Sequence, residues 1–219
     1  MKKTSALSVR ASYSDLFWLF MFGSVIGFIL EGIWNILTRG EWANHAATVW
    51  GPFCIIYGLG AAVMYVVSFS VVDKPLLSQF AIYALIGSAL EYLASLFQET
   101  CFGSTSWDYS DQFLNLNGRI SFQMTLIWGL LGVIFARLLF PPLSVMLSHM
   151  HGNVWNFTCK LLSVAMVINL FVTSSAVFRW RERMEALPAM NVWEEYLDGH
   201  FGDERMEEIF PNMVFGGAE

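Results

Sequence analysis

Five long apolar runs, separated by short polar breaks, order this chain: residues 13–37, 49–72, 76–97, 120–140 and 154–178. Each holds about 20 or more residues, enough at about 1.5 Å per residue to cross a hydrocarbon core of about 30 Å. Uninterrupted runs of that length predict membrane-spanning helices rather than helices of a water-soluble core. The first run is too long for a signal-peptide core, and no small-x-small cleavage site follows it, which predicts a retained helix. Residues 141–150 and part of the loop 97–119 are too short to span, and are candidate re-entrant or interfacial pieces. Polar backbone at that depth needs burial in protein or a cavity to line. The expected fold class is therefore all-α, a polytopic membrane helix bundle of about five spans. An N-terminal segment (1–12) and a C-terminal tail (181–219) flank a membrane domain over 13–180.

Within this pattern one motif occurs twice. Ile26-Gly27-x-x-Leu30-Glu31 in the first run matches Ile86-Gly87-x-x-Leu90-Glu91 in the third, 60 positions later. Arg39 and then Trp50-Gly51 follow the first copy; Arg119 and then Trp128-Gly129 follow the second. The order predicts an internal repeat of two helices, residues 13–72 and 76–140. Units that begin two spans apart share one membrane orientation, so the repeat is parallel, with its pseudo-axis along the membrane normal. Both glutamates then fall in the same half of the bilayer, beside Arg39, Arg119 and the long polar loop.

Composition supports the membrane assignment. Hydrophobic residues make up 56% and charged residues 14% of the chain, against about 25% charged in soluble domains. The net charge of −6 is concentrated in the tail and is no footprint of nucleic-acid binding. Lys2, Lys3 and Arg10 favour a cytoplasmic N-terminus. With that orientation, however, the 12 basic residues divide equally between the two faces, so charge alone leaves orientation open. In the tail, Trp193, Tyr196, Leu197, Phe201, Met206 and Phe210 alternate with acidic residues. That pattern predicts a surface-lying or docking helix pair, and its acidity disfavours an anionic lipid surface and points to a protein contact. Cys54, Cys101 and Cys159 have neither metal-site nor redox spacing.

Ionisable groups inside spans are costly unless paired, hydrated or facing a cavity, which makes Glu31 and Glu91 the leading candidates for chemistry. They could hold a cation, a proton or a polar solute, or be structural partners of Arg39, Arg119 or a helix-terminal donor. The loop 107–119 adds Trp107, Asp108, Tyr109, Asn115, Asn117 and Arg119, and Trp128 follows in the fourth run. Asp108 and Asp111 with Asn115 and Asn117 could offer oxygens to a hard cation, but not at EF-hand spacing; folding of the loop onto the bundle is the simpler reading. Arg119 suits a bidentate carboxylate partner, while Arg137 and Lys160 can snorkel. His149-x-His151 is short of a recognisable metal motif, so neither metal nor cofactor is expected. With no nucleotide-binding motif in the chain, an ATPase powering it would be a separate protein.

Glu31, Trp50-Gly51-Pro52 with Tyr57-Gly58, Glu91, Trp107-Asp108-Tyr109-Ser110, Phe113, Asn115-Leu116-Asn117-Gly118-Arg119-Ile120 and Trp128-Gly129 resemble a bacterial membrane family, the ABC-transporter permeases of the CmpB type. The resemblance covers about residues 14–139. It implies a multi-pass protein of the bacterial cell membrane, a permease subunit, and brings with it no substrate and no catalytic residue. The leading expectation is transport of a small solute or ion through the intramembrane carboxylates. A membrane enzyme acting on a lipid-like substrate, using Glu91, Asp108 and Arg119 as acid, base and anion clamp, is one alternative; a sensory or structural subunit is another. Expected partners are the bilayer, a second copy of the chain, and a separate ATPase or soluble protein docking on the tail.

Overall fold

Ser12 and Asp15 start the first helix with a reciprocal cap. The Ser12 hydroxyl accepts from the Asp15 amide at 3.2 Å, and the Asp15 carboxylate accepts from the Ser12 amide at 2.8 Å, which satisfies donors that a helix start otherwise leaves free. From this cap, in a computed structural model that describes residues 11–216, α1 spans Tyr13–Arg39 and stops at Gly40, whose left-handed backbone (φ 81°) closes the last turn. The basic residues that bear on N-terminal orientation, Lys2, Lys3 and Arg10, lie outside the described residues. α2 covers Ile55–Val71, α3 Leu76–Phe102 and α4 Phe122–Ile134. A π turn, Phe135–Leu139, joins α4 to α5, Phe140–His149, and α6 runs over Asn153–Met184. The tail adds α7, Val192–His200, and α8, Asp203–Ile209. Strand β1, Ser104–Thr105, pairs antiparallel with β2, Val214–Phe215. α1, α3, the rod Phe122–His149 and α6 are long and apolar enough to cross a membrane, while α2 has 17 residues. The protein is an all-α, multi-pass membrane bundle.

Two boundaries differ from the sequence expectation for physical reasons. Residues 141–150 are no separate re-entrant piece but the continuation of the fourth span. The π turn shifts the hydrogen-bond register, with the Phe140 amide bonding to Phe135, so Pro141 and Pro142 fall in the first turn of the resumed helix, where a missing N–H costs little. The second run becomes helical only at Ile55. The backbone before it is held by other partners: the Asn169 amide donates to the Trp50 carbonyl at 2.8 Å, the Val49 amide donates to the Thr173 hydroxyl at 3.0 Å, and the Cys54 amide to the Ser24 carbonyl at 3.0 Å. Arg137 does more than snorkel. It donates to Gln79 and to the Lys74 carbonyl, tying the rod to the α2–α3 turn.

α1 packs on α2, and α3 on α4, through glycines at corresponding places. Gly58 of α2 lies against Phe20, and Gly129 of α4 against Phe80; Gly23 faces Ala61, and Tyr83 faces Gly132; Gly27 lies under the Tyr57 ring and Gly87 under the Trp128 indole. The α1 and α3 members of these pairs are 60 positions apart, whereas the α2 and α4 members are 71 apart. The contact positions thus match Trp128-Gly129 with Tyr57-Gly58 rather than with Trp50-Gly51. A Cβ at Gly87 would stand 2.5 Å from the Trp128 ring, and one at Gly27 would enter the Tyr57 ring. Gly27→Ala and Gly87→Ala are therefore each expected to cost about 1–3 kcal/mol by overpacking. Thermal unfolding in detergent checks this, and an unchanged midpoint for both would contradict the close packing.

In both hairpins the first helix outruns the second. Tyr57, near the start of α2, meets Gly27, and Thr125, near the start of α4, accepts from the Ser88 hydroxyl at 2.9 Å. α1 and α3 continue past these levels by about 20 Å. Trp34, Leu37, Leu93 and Phe97 on the overhangs are exposed apolar side chains, and the non-helical segments 40–54 and 103–121 lie beside these overhangs. The tail closes this same face. Val49, Val172, Val177, Trp180, Leu197, Phe201, Met206, Phe210 and Phe215 form one buried cluster, so the docking partner of the amphipathic tail is its own chain.

Candidate functional site

Glu91 is only 4% exposed and projects from α3 where α4 begins. One carboxylate oxygen accepts from the Tyr109 hydroxyl at 2.8 Å and the other from the Trp128 indole N–H at 2.5 Å. Glu31, half-buried on α1, accepts from the Tyr57 hydroxyl at 2.5 Å. Each glutamate thus takes a hydrogen bond from the aromatic residue that covers the glycine one turn before it. Neither makes an ion pair with Lys or Arg among the described residues. Arg39 ends α1 in an exposed position, and Arg119 binds elsewhere, so the expected arginine partners are replaced by neutral aromatic donors. Neutral donors orient the carboxylates without bringing an opposite charge to them.

The loop 106–121 is shaped by its own polar groups. Asp108 accepts from the Ser110 amide at 2.9 Å and hydroxyl at 2.5 Å, an Asx turn, and these bonds hold the exposed Asp108 carboxyl below its ordinary range. Asn115 donates to the Ser110 and Gln112 carbonyls and accepts from the Gly118 amide. Asn117 takes a left-handed conformation (φ 55°) and accepts from Tyr92 at 3.5 Å. Gly118 (φ 66°) lies so close to Asp108 that a Cβ there would meet the carboxylate. The Tyr109 amide closes the loop by donating to the Gly118 carbonyl at 2.7 Å, and the Ser121 hydroxyl caps α4 by accepting from Met124 at 3.2 Å. Asp108, Asn115 and Asn117 therefore build the loop that delivers Tyr109 to Glu91. Among the described residues no group of three or more His, Cys, Asp or Glu is placed to hold a metal.

Trp107 and Arg119 anchor the loop's two ends to each other and to α3. The Trp107 indole donates to the Arg119 carbonyl at 3.1 Å. The Arg119 guanidinium pairs with Glu99 and lies over the Tyr92 ring at 5.5 Å, while its Nε is buried without a partner. Arg119 has its carboxylate, though from the last turns of α3 rather than from Glu31 or Glu91.

Burial, then the charge of Glu91 and the hydrogen bond to it, and finally the charge of Glu31 hold the Tyr109 phenol above its ordinary value. Tyr109 therefore remains a protonated donor across the physiological range. Of the residues in this constellation, Tyr57, Tyr92 and Glu99 escaped the sequence reading as site members. Tyr57 carried a signal: it precedes Gly58 as Trp128 precedes Gly129.

Residues 18–174 match the family described as "Putative ABC-transporter type IV", a range that includes Glu31, Glu91, the whole 106–121 loop and Trp128. No curated protein and no solved structure matches the chain.

Proposed function

The chain belongs to this ABC-transporter type IV family, and from that premise we propose that it is a permease subunit that engages a small cationic solute or ion through Glu31 and Glu91. The observation that carries this reading is the pair of carboxylates inside spans, each hydrogen-bonded to Tyr or Trp and, among the described residues, neither paired with Lys or Arg. Structural glue would be expected to pair such groups with arginine. Both glutamates stand where a partner helix begins and irregular backbone lies alongside, an arrangement that recurs at the midplane sites of transporters. The two hairpins, α1–α2 and α3–α4, form a parallel duplication around the site, and the 106–121 loop covers it through Tyr109. Tyr57, Trp128 and Tyr109 orient the carboxylates without cancelling their charge, so an entering cation meets both. The energy for directed transport comes from a separate ATPase.

Counterflow in proteoliposomes tests the site, with labelled sodium and methylammonium as probes. Glu31→Gln and Glu91→Gln are each expected to lower flux at least tenfold, a loss of about 1.4 kcal/mol or more. Unchanged flux in both variants would sink the assignment and leave the carboxylates a structural role.

A further inference from the structure

The tail helix α7 is locked to its own chain on one side and bare on the other. Leu197 lies in the buried cluster of the tail, and Asp198 pairs with Arg179 and Arg183. Glu194 caps the helix start by accepting from Met190 and Asn191. Two of its three acidic side chains are thus engaged locally. The outer stripe is Val192, Trp193, Tyr196 and His200, one helical face. Met190 and Val192 are 83% and 80% exposed, more than a free aqueous surface favours for two neighbouring apolar side chains.

That stripe continues the lipid-facing surface of α6. Phe171, 63% exposed, stacks on Trp193 at 6.1 Å, Trp193 on Tyr196 at 5.4 Å, and Tyr196 on His200 at 4.1 Å. Below Phe171, Ile168, Val167 and Val164 are exposed as well. Counted from Val154, the first exposed apolar residue of α6, Phe171 lies about 26 Å along the helix, near the far boundary of a core of about 30 Å. After α6 ends, the chain folds back so that the start of α7 meets the helix at this level, while Asp198 and Phe201 at its other end reach Arg179 and Arg183 farther along α6.

We propose that α7 is an interfacial helix whose Val192–Trp193–Tyr196 stripe seats in the boundary between headgroups and acyl chains of a zwitterionic bilayer. The ladder Phe171–Trp193–Tyr196 is the local form of the aromatic belt, in which amphipathic rings sit at headgroup level. The acidity of the tail selects neutral over anionic headgroups. The contact sets the height at which the tail covers the loop face of the bundle, and it does not depend on the identity of the transported solute.

Nitroxide accessibility in the full chain tests this. A spin label at Val192→Cys and one at Glu204→Cys, each in a Cys101→Ser background, are compared in phosphatidylcholine vesicles; the other two cysteines are buried. At position 192, collisions with dissolved oxygen are expected to exceed those with a water-soluble nickel chelate several-fold, and at exposed position 204 the order should reverse. Nickel dominating at both positions would overturn the proposal. So would a label at 192 that is open to nickel in vesicles and shielded only when soluble protein is added back, because the stripe would then be a protein-docking surface.

Discussion

Arg179→Ala is expected to release the C-terminal tail and to lower stability by about 3 kcal/mol. Arg179 is 3% exposed and each of its three guanidinium nitrogens donates a hydrogen bond. Nε and Nη2 form a fork to the two oxygens of Asp198, both at 2.9 Å, Nη1 reaches Glu182 at 3.0 Å, and Nη2 also donates to the Leu187 carbonyl at 3.2 Å. Alanine would strand Asp198 beside the cluster that packs α7 onto α6. The loss falls at the lower end of the range for broken buried pairs because the Asp198 side chain remains 30% exposed and keeps Arg183 at 2.7 Å. Lysine in place of Arg179 retains the charge but cannot form the fork, so its effect should be intermediate. Limited proteolysis of the 185–191 connection and thermal unfolding in detergent read the two consequences together. Cleavage and midpoint both unchanged would contradict the arrangement.

The same pair sets an acid limit. The hydrogen bond from Arg179, aided by Arg183, holds the Asp198 carboxyl below its ordinary value. A group depressed in the folded state contributes stability above its unfolded value of about 3.9, and that contribution is lost as pH falls through the lower folded value. The tail therefore remains docked at neutral and mildly acidic pH and detaches only in strongly acidic solution, and in the Arg179→Ala protein, where Arg183 alone still faces Asp198, that acid-dependent step is smaller.

What the sequence disclosed, and what it withheld, follows the range of the interactions concerned. The apolar helices and the glutamates within them were legible because apolar length and a lone charge are local properties. The Asx turn at Asp108 and the role of Gly118 were equally local. The start of α2 was not, because residues 49–54 are apolar enough for a helix and are kept out of one by Asn169 and Thr173, more than a hundred positions later. Pro141 and Pro142 read as a break because the π turn that accommodates them leaves no mark in composition. The donors to Glu91 come from Tyr109 and Trp128, and only the packing of Trp128 on Gly87 and the closed 106–121 loop bring them there. Arg119 was rightly expected to find a carboxylate, but nothing local distinguished Glu99 from the two intramembrane glutamates. The tail's alternation announced an amphipathic pair, and its partner on α6 emerged only from the buried Arg179.

A single site served by Glu31 and Glu91 and opening on the loop face predicts side-specific access. Glu31→Cys and Glu91→Cys proteins, each lacking Cys101, would be treated in sealed vesicles with a membrane-impermeant thiol reagent. Glu204→Cys reports the tail face and Lys74→Cys the opposite one; both positions are exposed. Tyr109→Ala should accelerate labelling at position 91, because it removes the phenol that covers Glu91, and should leave position 31 little changed, since Tyr57 holds that glutamate. The predicted result is reaction at both 31 and 91 from the face that labels position 204, and at neither from the face that labels position 74. Reaction of the two from opposite faces, or of neither from any face even with Tyr109→Ala, would contradict a shared site.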